Sequence, residues 1–136
     1  MRLRPVIVTL LLLPALTVAC GKLQGEFALR RYNDDVYRKV SGPFECAADE
    51  EVQWSYVFSK VTKRSDIAVI VQKKEIGWVE SRSNLDYIDI EKKVIHGTVK
   101  SFEPGEYQII ILHVEKKNEV LGRLKFFVYE EGNAGR

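Results

Sequence analysis

The sequence predicts an all-β protein, a single antiparallel β-sandwich of about seven short strands, and three observations predict it. Beyond residue 41 the chain alternates apolar and polar side chains with period two, the pattern of half-buried strands. Turn signals interrupt that pattern at intervals of roughly 8–12 residues, as in sandwiches of short strands. No segment after residue 20 carries the 3.6-residue periodicity of an amphipathic helix.

Taken in order, residues 20–40 are polar and weakly patterned and read as a tether with a first edge element at most. Residues 35–40 fit either an edge strand or one helical turn. Ser41-Gly42-Pro43 then opens the domain, assigned to 41–131, with 132–136 as a tail. In 52–58, Val52, Trp54, Tyr56 and Phe58 point one way while Gln53 and Ser55 point the other. Residues 67–71 are apolar on both faces, as a central strand requires. Residues 76–79 and 85–90 read as two short strands separated by the polar turn Ser81-Arg82-Ser83-Asn84, and 94–99 follow as another. Pro104-Gly105 is a turn dipeptide leading into a strand at 107–114. Lys116-Lys117-Asn118-Glu119 reads as a hairpin loop, and the last strand carries Leu124, Phe126 and Val128 on one face. The expected sheet edges are 76–79 and this final strand.

The run from Thr98 through Pro104-Gly105-Glu106-Tyr107, followed by a strand, a hairpin and a terminal strand, resembles the closing half of immunoglobulin-like domains. There a Pro-Gly-x-Tyr turn leads into the penultimate strand, and the tyrosine packs at the corner between sheets. The resemblance covers about the last third of the chain. It implies Tyr107 as the corner residue and Trp54 as a core aromatic. The cysteine pair of antibody domains is missing.

The front of the chain has a different character. Arg2 and Arg4 precede an apolar run from Val6 to Leu16, and the small residues Thr17-Val18-Ala19 lead into Cys20. Charged start, short apolar middle and small-residue cleavage site are the plan of a secretory signal peptide, assigned to 1–19. The apolar stretch is shorter than the roughly 20 residues of a membrane-spanning helix, and it contains Pro14. Thr17-Val18-Ala19-Cys20 resembles the lipobox of bacterial lipoproteins, whose cysteine receives a diacylglyceryl group and becomes the new N-terminus. The family usually has Leu where this chain has Thr17, with Leu16 one position further back. Thr17 and Ala19 also satisfy an ordinary signal-peptidase site, which would release a soluble chain beginning at Cys20. The resemblance implies lipidation at Cys20 and a cell-envelope location. It also suggests the outer membrane, because Gly21 is not the aspartate that retains some enterobacterial lipoproteins at the inner membrane.

Two cysteines are present, Cys20 and Cys46. Acylation of Cys20 leaves Cys46 without an intrachain partner. Without acylation an export compartment permits a Cys20–Cys46 bridge. Cys46 itself reads as a small buried apolar side chain.

Removing residues 1–19 takes away two arginines and no acid, leaving 117 residues with 19 basic and 19 acidic side chains. That length suits one domain. Zero formal charge gives no electrostatic case for nucleic acid or for an anionic membrane. The pairs Lys73-Lys74, Lys92-Lys93 and Lys116-Lys117 read as solvated turns.

No nucleophile elbow, phosphate-binding loop, His-Glu-x-x-His or paired Cys-x-x-Cys motif occurs, and the chain is read as non-catalytic, with no cofactor. His96 and His113 fall on strands expected to be neighbours and are the weak candidates for a metal site. A strand histidine satisfied by its surroundings explains each as well. Asp34-Asp35 and Asp49-Glu50-Glu51 lack the alternating spacing of a calcium loop and read as solvated turns. Trp78 with Tyr87 is the candidate aromatic platform for a sugar or peptide. The functional expectation is an envelope-anchored, non-catalytic binding or scaffold module. It would be held to the membrane by its N-terminal lipid and would act on a protein partner, with no nucleic acid. The alternative is a lipoprotein that binds a small ligand, sugar or metal, in the periplasm or at the cell surface.

Overall fold

Burial alternates along the chain as a two-layer β protein demands. The computed structural model describes residues 23–130. The leader, Cys20 and the 132–136 tail lie outside them. Nine strands form two packed sheets: β1 (Gln24–Arg31), β2 (Arg38–Lys39), β3 (Phe44–Ala47), β4 (Val52–Ser59), β5 (Ser65–Lys74), β6 (Trp78–Ile88), β7 (Val94–Val99), β8 (Gly105–His113) and β9 (Glu119–Tyr129). One sheet has the order β2-β1-β4-β7, the other β3-β9-β8-β5-β6. All pairings are antiparallel except β3 with β9. The chain crosses between sheets five times, from β2 to β3, β3 to β4, β4 to β5, β6 to β7 and β7 to β8, so the two sheets of the sandwich are interleaved in sequence.

The inward face of β4 supplies Val52, Trp54, Tyr56 and Phe58, all buried, as the period-two reading requires. Against them pack Phe27 and Leu29 of β1, Ile95 and Val99 of β7, and Ile109, Ile111, Leu124 and Phe126 of the other sheet. Among the described residues the buried core runs from Phe27 to Val128. Two aromatic side chains dictate where glycine must stand. A Cβ at Gly97 on β7 would come within 2.4 Å of the Trp54 indole. One at Gly25 or Gly122 would meet the Tyr56 ring at 2.4 Å or 2.7 Å. The Tyr56 hydroxyl crosses the interior and donates to the Leu121 carbonyl on β9 at 3.0 Å.

The closing third follows the immunoglobulin-like expectation. Gly105 enters β8 at φ +152°, a conformation open to glycine and closed to other residues. Two residues on, the Tyr107 hydroxyl donates to the Glu103 carbonyl at 2.7 Å, the hydrogen bond of a tyrosine corner. The β8–β9 hairpin contains a 3-10 turn at Val114–Lys116, with Lys117 and Asn118 both in the left-handed region.

Four expectations are corrected. The strands number nine, because β1 and the short β2 and β3 lie in sequence too polar or too brief to read as strands. Residues expected as tether already form β1, which pairs along its whole length with β4 from Gln24↔Ser59 to Arg31↔Val52. Of the two readings left open for 35–40, the edge strand is the one adopted, as β2. Ser81-Arg82-Ser83-Asn84 is not a turn: it lies within one continuous eleven-residue strand, β6. Nor is the final strand an edge throughout: β3 pairs in parallel with its last four residues, from Phe44↔Phe126 to Ala47↔Tyr129, while its earlier residues pair with β8 alone.

Trp54→Ala removes the largest inward side chain of β4 and should cost about 3–5 kcal/mol, read as a fall in the denaturant midpoint. Tyr56→Phe leaves the packing intact and strands the Leu121 carbonyl, for a loss of about 1–3 kcal/mol. A Trp54→Ala protein that unfolds like the parent would show that the inward face of β4 is wrongly assigned.

Candidate functional site

β6 is the outermost strand of the five-stranded sheet and pairs only with β5. Of its eleven residues only Ile88 is buried, and Val79 to Leu85 are all exposed. Its register on β5 shifts between Val71↔Arg82 and Gln72↔Glu80, which leaves Ser81 as the extra residue of a bulge. Past the bulge, Arg82, Asn84, Asp86 and Ile88 lie opposite Val71, Val69, Ile67 and Ser65 on the inward side, and Ser83, Leu85 and Tyr87 take the outward side. The Arg82 guanidinium sits 4.3 Å above the Phe102 ring. Asp86 Oδ1 accepts the Tyr87 backbone N–H at 2.7 Å and pairs with the Lys92 ammonium, closing the lower end of the edge. From Ser81 to Leu85 the edge is open.

The outward face beside this edge is apolar where a solvated sheet would be polar. One register row runs Leu85, Ala68, Leu112 across β6, β5 and β8, and the next places Ile70 beside Ile110. Leu85 is 75 % exposed, whereas its neighbours are half-buried and Ile110 is buried. This five-residue patch adjoining an open strand edge is the candidate site. Sequence reading missed it because Ala68, Ile70, Ile110 and Leu112 look like core residues when a strand is apolar on both faces.

The residues singled out from the sequence do not converge. Trp78 and Tyr87 both lie on β6 but near its opposite ends, about 30 Å apart at the rise of an extended strand, so they form no shared platform. Each has cations over its ring: Lys74 and Lys125 at 5.9 Å for Trp78, Arg64 at 4.1 Å and Lys92 at 4.4 Å for Tyr87. His96 and His113 are not neighbours. His96 is exposed on β7 of the four-stranded sheet, its ring 6.1 Å from that of Tyr37. His113 is buried at the end of β8 in the other sheet, with Nε2 3.7 Å from a Glu115 oxygen and Nδ1 without a hydrogen-bond partner. Sequence order put β7 beside β8, and the crossover between sheets separates them. Among the described residues no three His, Cys, Asp or Glu side chains stand close enough to hold a metal ion. Cys20 lies outside the described residues.

Charge is distributed unevenly between the two ends of the sandwich. The loops at the end where β1 begins are 60–64, 89–93 and 114–118. They carry Lys60, Lys63, Arg64, Lys92, Lys93, Lys116 and Lys117 against Asp89, Glu91 and Glu115, a formal net of +4. The loops at the other end are 32–37, 48–51, 75–77 and 100–104. They carry Asp34, Asp35, Asp49, Glu50, Glu51, Glu75 and Glu103 against Lys100, a formal net of −6. Bases at nearby strand ends offset part of the second figure: Arg31 pairs with Glu50 at 2.8 Å and Lys73 with Glu103 at 3.1 Å. The zero formal charge of residues 20–136 therefore conceals two opposed poles.

Cys46 on β3 is fully buried, and burial, with a smaller contribution from the Glu50 carboxylate, pushes its thiol up to about 11. Near neutral pH it is an un-ionised, inert thiol. Peptide mapping after alkylation should find Cys46 unmodified in the folded protein and fully modified in denaturant. Rapid labelling under native conditions would contradict this burial. No protein-family model matches the chain and no curated protein sequence matches it, so its functional reading rests on these residues alone.

Proposed function

We propose that the chain is an envelope-anchored lipoprotein whose sandwich is a non-catalytic binding or scaffold module. It docks a protein partner by strand addition to β6. The leader and Thr17-Val18-Ala19-Cys20 support the anchor. The observation that carries the docking is the open edge of β6 flanked by the row Leu85, Ala68, Leu112. A strand added at Ser81–Leu85 gains main-chain hydrogen bonds from the edge and side-chain specificity from the patch, which is how sheet augmentation divides affinity from selectivity. Such an edge otherwise invites indiscriminate pairing. The bulge at Ser81, Arg82 and the Asp86 closure confine the open stretch to a few residues.

The small-ligand alternative draws no support from the residues first assigned to it, since Trp78 is far from Tyr87 and His96 and His113 occupy different sheets.

Protein extracted from membranes should begin at Cys20 and carry acyl mass on that residue. An unmodified Cys20 removes the anchor. A photo-crosslinker at position 85 should trap one specific protein in native envelopes. Leu85→Lys, on an exposed position, should lose that partner while leaving the melting temperature within a few degrees. Undiminished capture by Leu85→Lys would remove β6 as the docking edge.

A further inference from the structure

We infer that the basic end of the sandwich is a second docking face, fitted to the headgroups of anionic phospholipids. Its position relative to a membrane rests on the anchored-lipoprotein reading; its chemistry rests on its own side chains.

β1 starts at this end, with Gln24 opposite Ser59. Only Gly21, Lys22 and Leu23 separate Gln24 from Cys20, so an acylated Cys20 holds the start of β1 within about 14 Å of the bilayer surface even at full extension. The loops 60–64, 89–93 and 114–118 surround that point and are brought close to the range, about 10 Å, over which surface charges act through physiological salt.

The cations there are mostly uncommitted. Lys92 pairs with Asp86, and Arg64 lies 3.7 Å from Asp66. Among the described residues no carboxylate pairs with Lys60, Lys63, Lys93, Lys116 or Lys117, and all five are exposed. Two of the nearby acids are engaged in the loops themselves. Asp89 Oδ1 accepts the backbone N–H groups of Glu91 at 2.9 Å and Lys92 at 2.7 Å, and these bonds hold its carboxyl below the usual range. Glu115 accepts the Asp66 N–H at 3.0 Å. Glu91 and, at the start of β9, Glu119 remain as local opposition.

The Asp89 turn has a second consequence. It presents Ile90, 60 % exposed, at the tip of a hydrogen-bonded loop beside Lys92 and Lys93. An exposed apolar side chain in a loop that also carries Lys92 and Lys93 is suited to the boundary between headgroups and acyl chains. The opposite pole, at −6, is repelled by the same surface, so attraction and repulsion favour one orientation. That orientation stands the strands upright on the bilayer and holds the β6 edge clear of it. An acyl anchor combined with a basic patch also binds more firmly than either alone.

The test uses the chain from residue 20 with Cys20→Ser, which retains the whole described core from Phe27 to Val128, and vesicles of phosphatidylcholine alone or with phosphatidylglycerol. Co-sedimentation should require phosphatidylglycerol and weaken as salt rises. The triple reversal Lys63→Glu, Lys93→Glu, Lys116→Glu should lower it about a hundredfold, since each basic side chain near such a surface contributes about fivefold. Lys100→Glu, at the other pole, should leave it unchanged, and circular dichroism should show the same β spectrum for all three proteins. Equal sedimentation on both vesicles, or a triple variant that binds like the parent, overturns the lipid-docking face. Because this chain carries no acyl group, that result is separate from the acyl-mass measurement on Cys20, which tests the anchor.

Discussion

A single hydroxyl crossing from one sheet to the other holds the organisation of this molecule together. Tyr56 stands on β4 of the four-stranded sheet, and its phenol reaches the Leu121 carbonyl on β9 of the other. Leu121 is the unpaired residue where the β8–β9 register shifts between Ile111↔Gly122 and Leu112↔Val120. The bulge frees that carbonyl from the ladder, and Tyr56 satisfies it in a place where an unpaired carbonyl would be costly. Glycines on two strands of different sheets, Gly25 and Gly122, clear the space for the ring. Phe27 and Phe58 then meet it edge-on, with centroids at 4.7 Å and 4.9 Å. Tyr56 therefore meets sheet separation, strand register and aromatic packing at one point. A change at any of these three strands is felt in the other two.

The candidate docking edge follows from position. β6 is the terminal strand of the five-stranded sheet, and Val79 to Leu85 along it are exposed. Freed from burial, it can carry Arg82, Ser83 and Asn84 in mid-strand without leaving polar groups in a dry core. The opposite edge of the same sheet is treated differently. There β3 runs parallel to the end of β9 and covers Phe126–Tyr129. One edge strand is four residues long and the other eleven.

Legibility in the sequence tracked burial. Where one face was dry and the other wet, as in β4, β7 and the Pro104-Gly105-Glu106-Tyr107 corner, alternation and turn chemistry gave strand, face and role together. Trp54 and Tyr107 stand where their patterns put them. β6 was illegible because a strand solvated on both sides has no alternation to read, so its serines and asparagine imitate a loop. β1 was hidden by Glu26, Arg30 and Arg31 on its wet side. The patch of the candidate site was hidden by the opposite effect, since apolar residues on both faces of β5 and β8 suggest burial on both. Pairing between strands distant in sequence separated His96 from His113 and gathered the basic loops at one pole. Net charge, a sum over the chain, carries no information about that segregation.

The path of the chain has one more consequence. Gln24 opens β1 at one end of the sandwich, and Tyr129 closes β9 at the other. Tension applied between these two points would run along the strand axes. The β1–β4 and β8–β9 ladders would bear it in shear, with many hydrogen bonds strained at once instead of parting one by one like a zip. A domain pulled between those two points is built to resist being opened.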